Sequence, residues 1–117
     1  MKKENKYIDM QYLNEVSSNK DFQRKIFKLF REEIVTIETH MKTALEIGDY
    51  SELADLAHKA KSSVSILGMK KEAETMKQLQ VDILENKNEG SYKSTVYEFI
   101  QACRTALDEI DAIEKEF

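Results

Sequence analysis

The chain has 117 residues, of which 41% are hydrophobic and 34% are charged, and its formal net charge is -4. This length suffices for one domain with a hydrophobic core and leaves no room for a second, so we expect a single helical-bundle domain over residues 1–117. The acidic and basic residues are interspersed without a basic excess, which argues against nucleic acid as a partner.

The N-terminal segment Met1–Lys6 is polar. It leads into no apolar run long enough for a signal peptide or a membrane span. We therefore expect a cytoplasmic protein that is not attached to a membrane.

The first half of the chain predicts a short helix followed by a long one. The short helix runs from about Asp9 to Val16, and Asn19 can cap the long helix that follows. Gly48 and Gly68 stand where helical patterns stop, as C′ caps do. The long helix is predicted to carry one apolar stripe with helical spacing, formed by Phe22, Ile26, Phe30, Ile34, Ile37, Met41 and Ala44.

The third helix begins at Asp49, which with Glu52 has the spacing of an N-terminal cap. Its apolar residues fall within roughly 80° of arc on an ideal helix, whereas His58 lies about 140° from the centre of that stripe. An imidazole in this position faces water or a partner rather than the core. The stripe consists of Leu53, Leu56, Ala57, Ala60, Val64 and Leu67.

Lys61 and Ser62 follow His58 at i+3 and i+4, the positions that neighbour it on a helix surface. A nearby ammonium group disfavours the cationic form of the imidazole and attracts phosphoryl oxygens. Lys61, on the same side as His58, is therefore suited to the role of an electrostatic helper. Ser62 is small enough to let a partner bring its own phosphorylated group close. The pattern favours His58 as a nucleophile for phosphorus.

Two more helices complete the predicted bundle. Apolar residues continue with helical spacing up to Ile83, the polar stretch 86–90 predicts an exposed loop, and the last helix begins near Tyr92. The single cysteine, Cys103, cannot form an internal disulfide and lies on the core stripe of this helix. That stripe is formed by Tyr92, Val96, Phe99, Cys103, Ala106, Ile110 and Ile113.

The segment around His58 resembles the motif of the histidine-containing phosphotransfer (HPt) family, which runs roughly H-x-L-K-G-S-S-x-x-L-G. His58, Lys61, Ser63, Leu67 and Gly68 match it in register, and the stretch from Tyr7 to Phe30 is similar to the first helices of the family. The chain departs from the motif at Ala60, Ser62 and Val64. The resemblance implies an all-α, antiparallel four-helix bundle with a short additional N-terminal helix.

The resemblance further implies a phosphocarrier in a multistep His-Asp phosphorelay. His58 would exchange a phosphoryl group with aspartates of response-regulator receiver domains, one of them on a hybrid sensor histidine kinase, and the receiver would supply Mg²⁺. No cofactor or metal is then expected here, and ATP-dependent kinase activity is not expected because no glycine-rich phosphate loop is present. Gln80 matches a glutamine that orients the imidazole in some members. The exposed residues around His58 expected to contact a partner are Lys59, Ser62, Ser65 and Ile66.

Other interpretations remain open. The same shape can serve a docking module that binds receivers or kinases without carrying phosphate, with Ser62 in place of glycine marking a relaxed constraint. Asp55 and His58 have a metal-site spacing, but both point away from the apolar stripe, unlike ligands inside a bundle. His40 has no lysine at i+3 and is interpreted as a bystander, and the scattered methionines are interpreted as core. A transient interface with one receiver at a time favours a monomer.

Overall fold

The computed structural model describes residues 5–117, and this part of the chain is an all-helical bundle. A 3₁₀ turn at Glu89–Ser91 precedes the last helix. Five α-helices occupy most of the described residues, as the periodicity predicts: α1 (Met10–Val16), α2 (Lys20–Ile47), α3 (Tyr50–Ser65), α4 (Lys70–Leu84) and α5 (Tyr92–Lys115).

The predicted helix ends are confirmed by hydrogen bonds and backbone angles. The Asn19 side chain accepts a hydrogen bond from the Phe22 amide at 3.0 Å, and Asp49 accepts one from the Glu52 amide at 3.1 Å. Gly48 and Gly68 adopt φ of 71° and 77°, the left-handed conformation that ends helices and that glycine adopts without steric cost. Local sequence therefore determines where α2 and α3 start and stop.

The core lies between the four longer helices. The helix α3 packs against α2 and α4, and α5 packs against the same two helices. The predicted inner residues of α3, α4 and α5 are buried, apart from partial exposure of Ala73 and Ile113. The largest fully buried apolar side chains come from every helix and from the turn between α3 and α4: Phe27, Phe30, Leu13, Ile34, Met41, Leu53, Leu56, Leu67, Met69, Met76 and Ile110.

The predicted stripe of α2 is wrong at its first residue. Phe22 is 43% exposed, whereas Gln23 and Phe27 are completely buried. Steps of four residues advance about 40° beyond a full turn, so the series from Phe22 to Ile34 drifts by about 120° around the helix. Gln23 lies within about 20° of the direction of Ile34 by the same geometry, and a polar residue takes the place expected for an aromatic one.

Gln23 is buried because it holds α1 against α2. Its side-chain amide donates to the Asn14 side chain and to the Ser17 carbonyl, both at 2.8 Å. At the other end of α1, the Asp9 amide donates to the Leu67 carbonyl at 3.1 Å. The seven-residue helix α1 is thereby held beside the C-terminal end of α3.

Cys103 is completely buried on the inner face of α5, as its position in the apolar stripe predicts. Burial raises the pKa of its thiol well above the usual range, and the carboxylates of Glu38 and Glu72 raise it further. The thiolate is the reactive form of cysteine, so this side chain is inert in the folded protein.

Within residues 5–117, no helix combines the length and the apolar character needed to cross a membrane.

Candidate functional site

The α3 helix presents His58 to solvent from its middle. The residues of α3 that pack into the core include Ala57 and Ala60, while His58 and Lys59 are exposed. The prediction that the imidazole points away from the core is confirmed. The position is reachable by a macromolecular partner without any local unfolding.

On one side of His58 lies a surface groove between α2 and α3, hereafter the apolar groove. Its exposed apolar side chains include Leu29, which is 51% exposed, and Ile66, which is 40% exposed. Exposed apolar side chains clustered in one groove are typical of a surface that a partner covers. Ile26, Leu29, Phe30, Glu32, Glu33, Thr36 and Ile37 line the groove from α2, and His58, Lys59, Ser62, Ser63 and Ile66 line it from α3.

Ser63 and Glu33 connect the two walls of the apolar groove. The Ser63 hydroxyl donates to Glu33 Oε2 at 2.7 Å, and Ser63 is 7% exposed. This bond gives the serine of the motif a structural role that sequence reasoning did not find. The two residues are 30 positions apart, so no local pattern could have indicated their contact.

Ser62 and Ser65 bond back to the helix that carries them. The Ser62 hydroxyl donates to the His58 carbonyl at 3.4 Å, and the Ser65 hydroxyl donates to the Lys61 carbonyl at 2.6 Å. Both residues are exposed. Ser62 therefore places a small, locally satisfied side chain one turn from the imidazole.

On the other side of α3 lies a second depression, hereafter the cationic cleft. It is lined by Tyr12, Lys61, Ser65, Gly68, Lys70, Ala73, Glu74 and Lys77. Lys61 is half-buried and lines this cleft, whereas Lys59 lines the apolar groove. His58 thus stands on a ridge of α3 with one lysine toward each flank, and Lys61 does not share the groove that His58 borders.

Gln80 lies half-buried on α4. It lines neither the apolar groove nor the cationic cleft. Within residues 5–117, no hydrogen bond joins its amide to the imidazole of His58. Its role as an orienting residue stays a prediction.

The two other polar residues that the sequence analysis weighed, Asp55 and His40, are exposed. Asp55 lies on the surface of α3, and His40 lies on the surface of α2. Among the described residues, no cluster of three or more histidine, cysteine or acidic side chains is arranged to hold a metal ion. The four methionines assigned to the core lie there: Met41, Met69 and Met76 are buried, and Met10 packs against the core cluster.

The ridge combines three elements that group transfer needs. His58 provides an accessible ring nitrogen, lysines on both flanks provide positive charge, and the apolar groove provides a surface on which a partner can be oriented. Comparisons of the chain with models of protein families, with curated proteins and with solved structures find no match.

Proposed function

We propose that this protein is a histidine phosphocarrier that exchanges a phosphoryl group between His58 and aspartates of receiver domains. The observation that carries the proposal is the exposed His58 on the α3 ridge, between the apolar groove and a lysine-lined cleft. The match of His58, Lys61, Ser63, Leu67 and Gly68 to the HPt motif supports the same conclusion.

The proposed reaction is an in-line displacement at phosphorus. A neutral ring nitrogen of His58 forms a P–N bond while the P–O bond to the aspartate of the receiver breaks, and the carboxylate leaves. The reverse reaction restores the acyl phosphate, so the carrier can feed a pathway or drain one. Mg²⁺ belongs to the receiver, and neither ATP nor a kinase activity of this chain takes part.

The lysines stabilise the charge that the transferred group carries. Lys61 is one helical turn from His58, so its ammonium group can approach the phosphoryl oxygens from the cleft side. Lys59 approaches from the groove side. In this proposal Gln80 is the residue that orients the imidazole ring.

The apolar groove is the proposed docking surface for the receiver. Leu29 and Ile66 offer apolar area, and Lys59 and Ser62 line the groove beside His58. Ser65 lies about two turns further along α3 on the side of the cationic cleft, at the edge of the proposed contact. The hydroxymethyl group of Ser62 occupies space where the motif has glycine, which narrows the choice of receivers. Because one groove serves one receiver at a time, the carrier acts as a monomer, in the cytoplasm with its receivers and a hybrid sensor kinase.

The proposed arrangement of α2 to α5 is an antiparallel four-helix bundle. Only Gly48 and Asp49 separate α2 from α3, and four residues, 66–69, separate α3 from α4. Connections this short favour antiparallel neighbours.

The test is transfer of radiolabelled phosphate from phosphorylated receiver domains to the purified protein. We expect label on the wild-type protein, stable in base and lost in acid, and no label on His58→Gln. His40→Gln is the matched control, because His40 is the second histidine of the chain and is also exposed on a long helix. It should accept label as the wild type does.

Equal labelling of the wild type and His58→Gln would refute the proposed acceptor. Measurable binding to several receivers without transfer from any of them would instead identify a docking module.

A further inference from the structure

The cationic cleft concentrates positive charge on a protein whose net charge is negative. Lys61 from α3 and Lys70 and Lys77 from α4 line it, against one carboxylate, that of Glu74. The chain as a whole has a formal charge of -4. The local excess of positive charge in the cleft attracts anions.

The three lysines are not neutralised by ion pairs. Within residues 5–117, the lysine that forms a salt bridge is Lys87, which lies outside the cleft. The cleft also includes the first residue of α4, Lys70, and the N-cap residue Met69 supplies no side-chain hydrogen bond to the helix end. The positive end of the α4 dipole therefore adds to the lysine charges, and the first-turn carboxylate of Glu72 offsets part of it.

The spacing of the lysines suits a ligand with more than one anionic group. Lys70 and Lys77 are two turns apart on α4, which is about 10 Å along the helix. Lys61 faces them from α3. Tyr12 from α1 forms a further wall of the cleft, and its hydroxyl has no hydrogen-bond partner in the described part of the chain.

We propose that the cationic cleft is a binding site for a small polyphosphate anion. The cleft has walls from three helices and a volume of about 390 Å³, within the range of small-molecule sites. A concave site of this size favours a compact ligand whose phosphates reach all three lysines. The proposal does not depend on phosphate transfer by His58, because it concerns the charge and shape of the other flank of α3.

The test is a titration with inorganic triphosphate, followed by the backbone amide signals of the full-length protein in NMR spectra. We expect saturable shifts at Tyr12, Lys61, Ser65 and Gly68, with a dissociation constant of about 1 mM or lower. A parallel titration with a nucleoside triphosphate distinguishes two sources of the phosphates. If the nucleoside triphosphate binds more tightly than inorganic triphosphate, the ring of Tyr12 contacts the base. If the two bind equally, the affinity comes from the phosphates alone.

The double variant Lys70→Gln/Lys77→Gln should bind triphosphate at least about tenfold more weakly, because two of the three cations are lost. The matched control is Lys25→Gln/Lys93→Gln, which removes two exposed lysines of α2 and α5 and should bind as the wild type does. Added salt should weaken binding, since these charges are open to solvent. Shifts that do not saturate, or equal weakening in both double variants, would overturn the proposal.

Discussion

Gly68 is the motif residue whose identity the structure explains most directly. Its φ is 77°, and a Cβ at this position would lie 2.6 Å from the Cβ of Asp9 and 3.2 Å from Cδ2 of Tyr12. Gly48 also has a positive φ, but a Cβ there would meet nothing within 4 Å. Gly68 is thus required both by backbone conformation and by the close approach of α1.

We expect Gly68→Ala to destabilise the protein more than Gly48→Ala does. Each variant places an L-residue in the left-handed region, at a cost of about 1 kcal/mol. Gly68→Ala must also displace the start of α1, which adds about 1 to 3 kcal/mol. Urea unfolding of both variants measures the difference, and equal losses of the free energy of unfolding would show that α1 moves aside without cost.

At the residue scale, sequence patterns predicted whether a side chain points toward the core or away from it better than they predicted which residues it contacts. The outward direction of His58 followed from the period of one helix. The burial of Gln23 did not follow, because a stripe read in steps of four residues drifts around the helix, and because the partners of its NH₂ group, Asn14 and Ser17, lie in α1 and at its C-terminal end. The sequence also could not predict that Lys61 lines the cationic cleft, since the cleft depends on where α1 and α4 pack beside α3.

At the scale of elements, α1 and the segment before it are the part of the fold that depends most on single polar contacts. Glu109 on α5 accepts hydrogen bonds from the backbone amides of Lys6 at 3.0 Å and of Tyr7 and Ile8 at 2.9 Å. A helix of seven residues has little stability by itself. The Glu109 carboxylate and the Gln23 amide therefore tie α1 to the longer helices from both sides.

We expect Glu109→Gln to lower the free energy of unfolding by about 1.5 to 3 kcal/mol, the usual loss for hydrogen bonds to a charged group. The neutral amide offers one oxygen to three donors, and its own NH₂ group faces them. Hydrogen exchange at Lys6, Tyr7 and Ile8 should become faster, while exchange in α3 should change little.

The matched control for this variant is Glu98→Gln, an exposed glutamate of the same helix. It makes no ion pair within the described residues, so its stability and exchange should equal those of the wild type. Unchanged protection of the three amides in Glu109→Gln would show that packing of Ile8 and Leu13 holds the segment without the carboxylate.

The caps of α2 and α3 were predicted, and the cap of α1 rests on the same kind of local contact, whereas the anchors of α1 were not predictable. Asp9, Asn19 and Asp49 act on amides three residues away, a relation that lies within the local sequence. Glu109 acts on amides about a hundred positions away. Only the folded arrangement of the first and last helices brings such groups together.

For the whole molecule, the buried thiol of Cys103 makes the free energy of unfolding decrease as the pH becomes alkaline. Its pKa is raised in the folded protein by burial and by Glu38 and Glu72, whereas the thiol of an unfolded chain has a pKa of about 8.5. At pH 7 both states hold the proton. As the pH rises above the unfolded pKa, the unfolded chain loses its proton while the folded chain keeps it, so unfolding becomes easier.

We expect the free energy of unfolding of the wild type to fall faster with pH than that of Cys103→Ala. The difference in slope should approach about 1.4 kcal/mol per pH unit between about pH 9 and pH 11. Burial also raises the pKa of Tyr92, but this group titrates in both proteins and cancels in the difference. Urea unfolding at several pH values measures the two slopes, and parallel curves would show that the thiol ionises as readily in the folded core as in the unfolded chain.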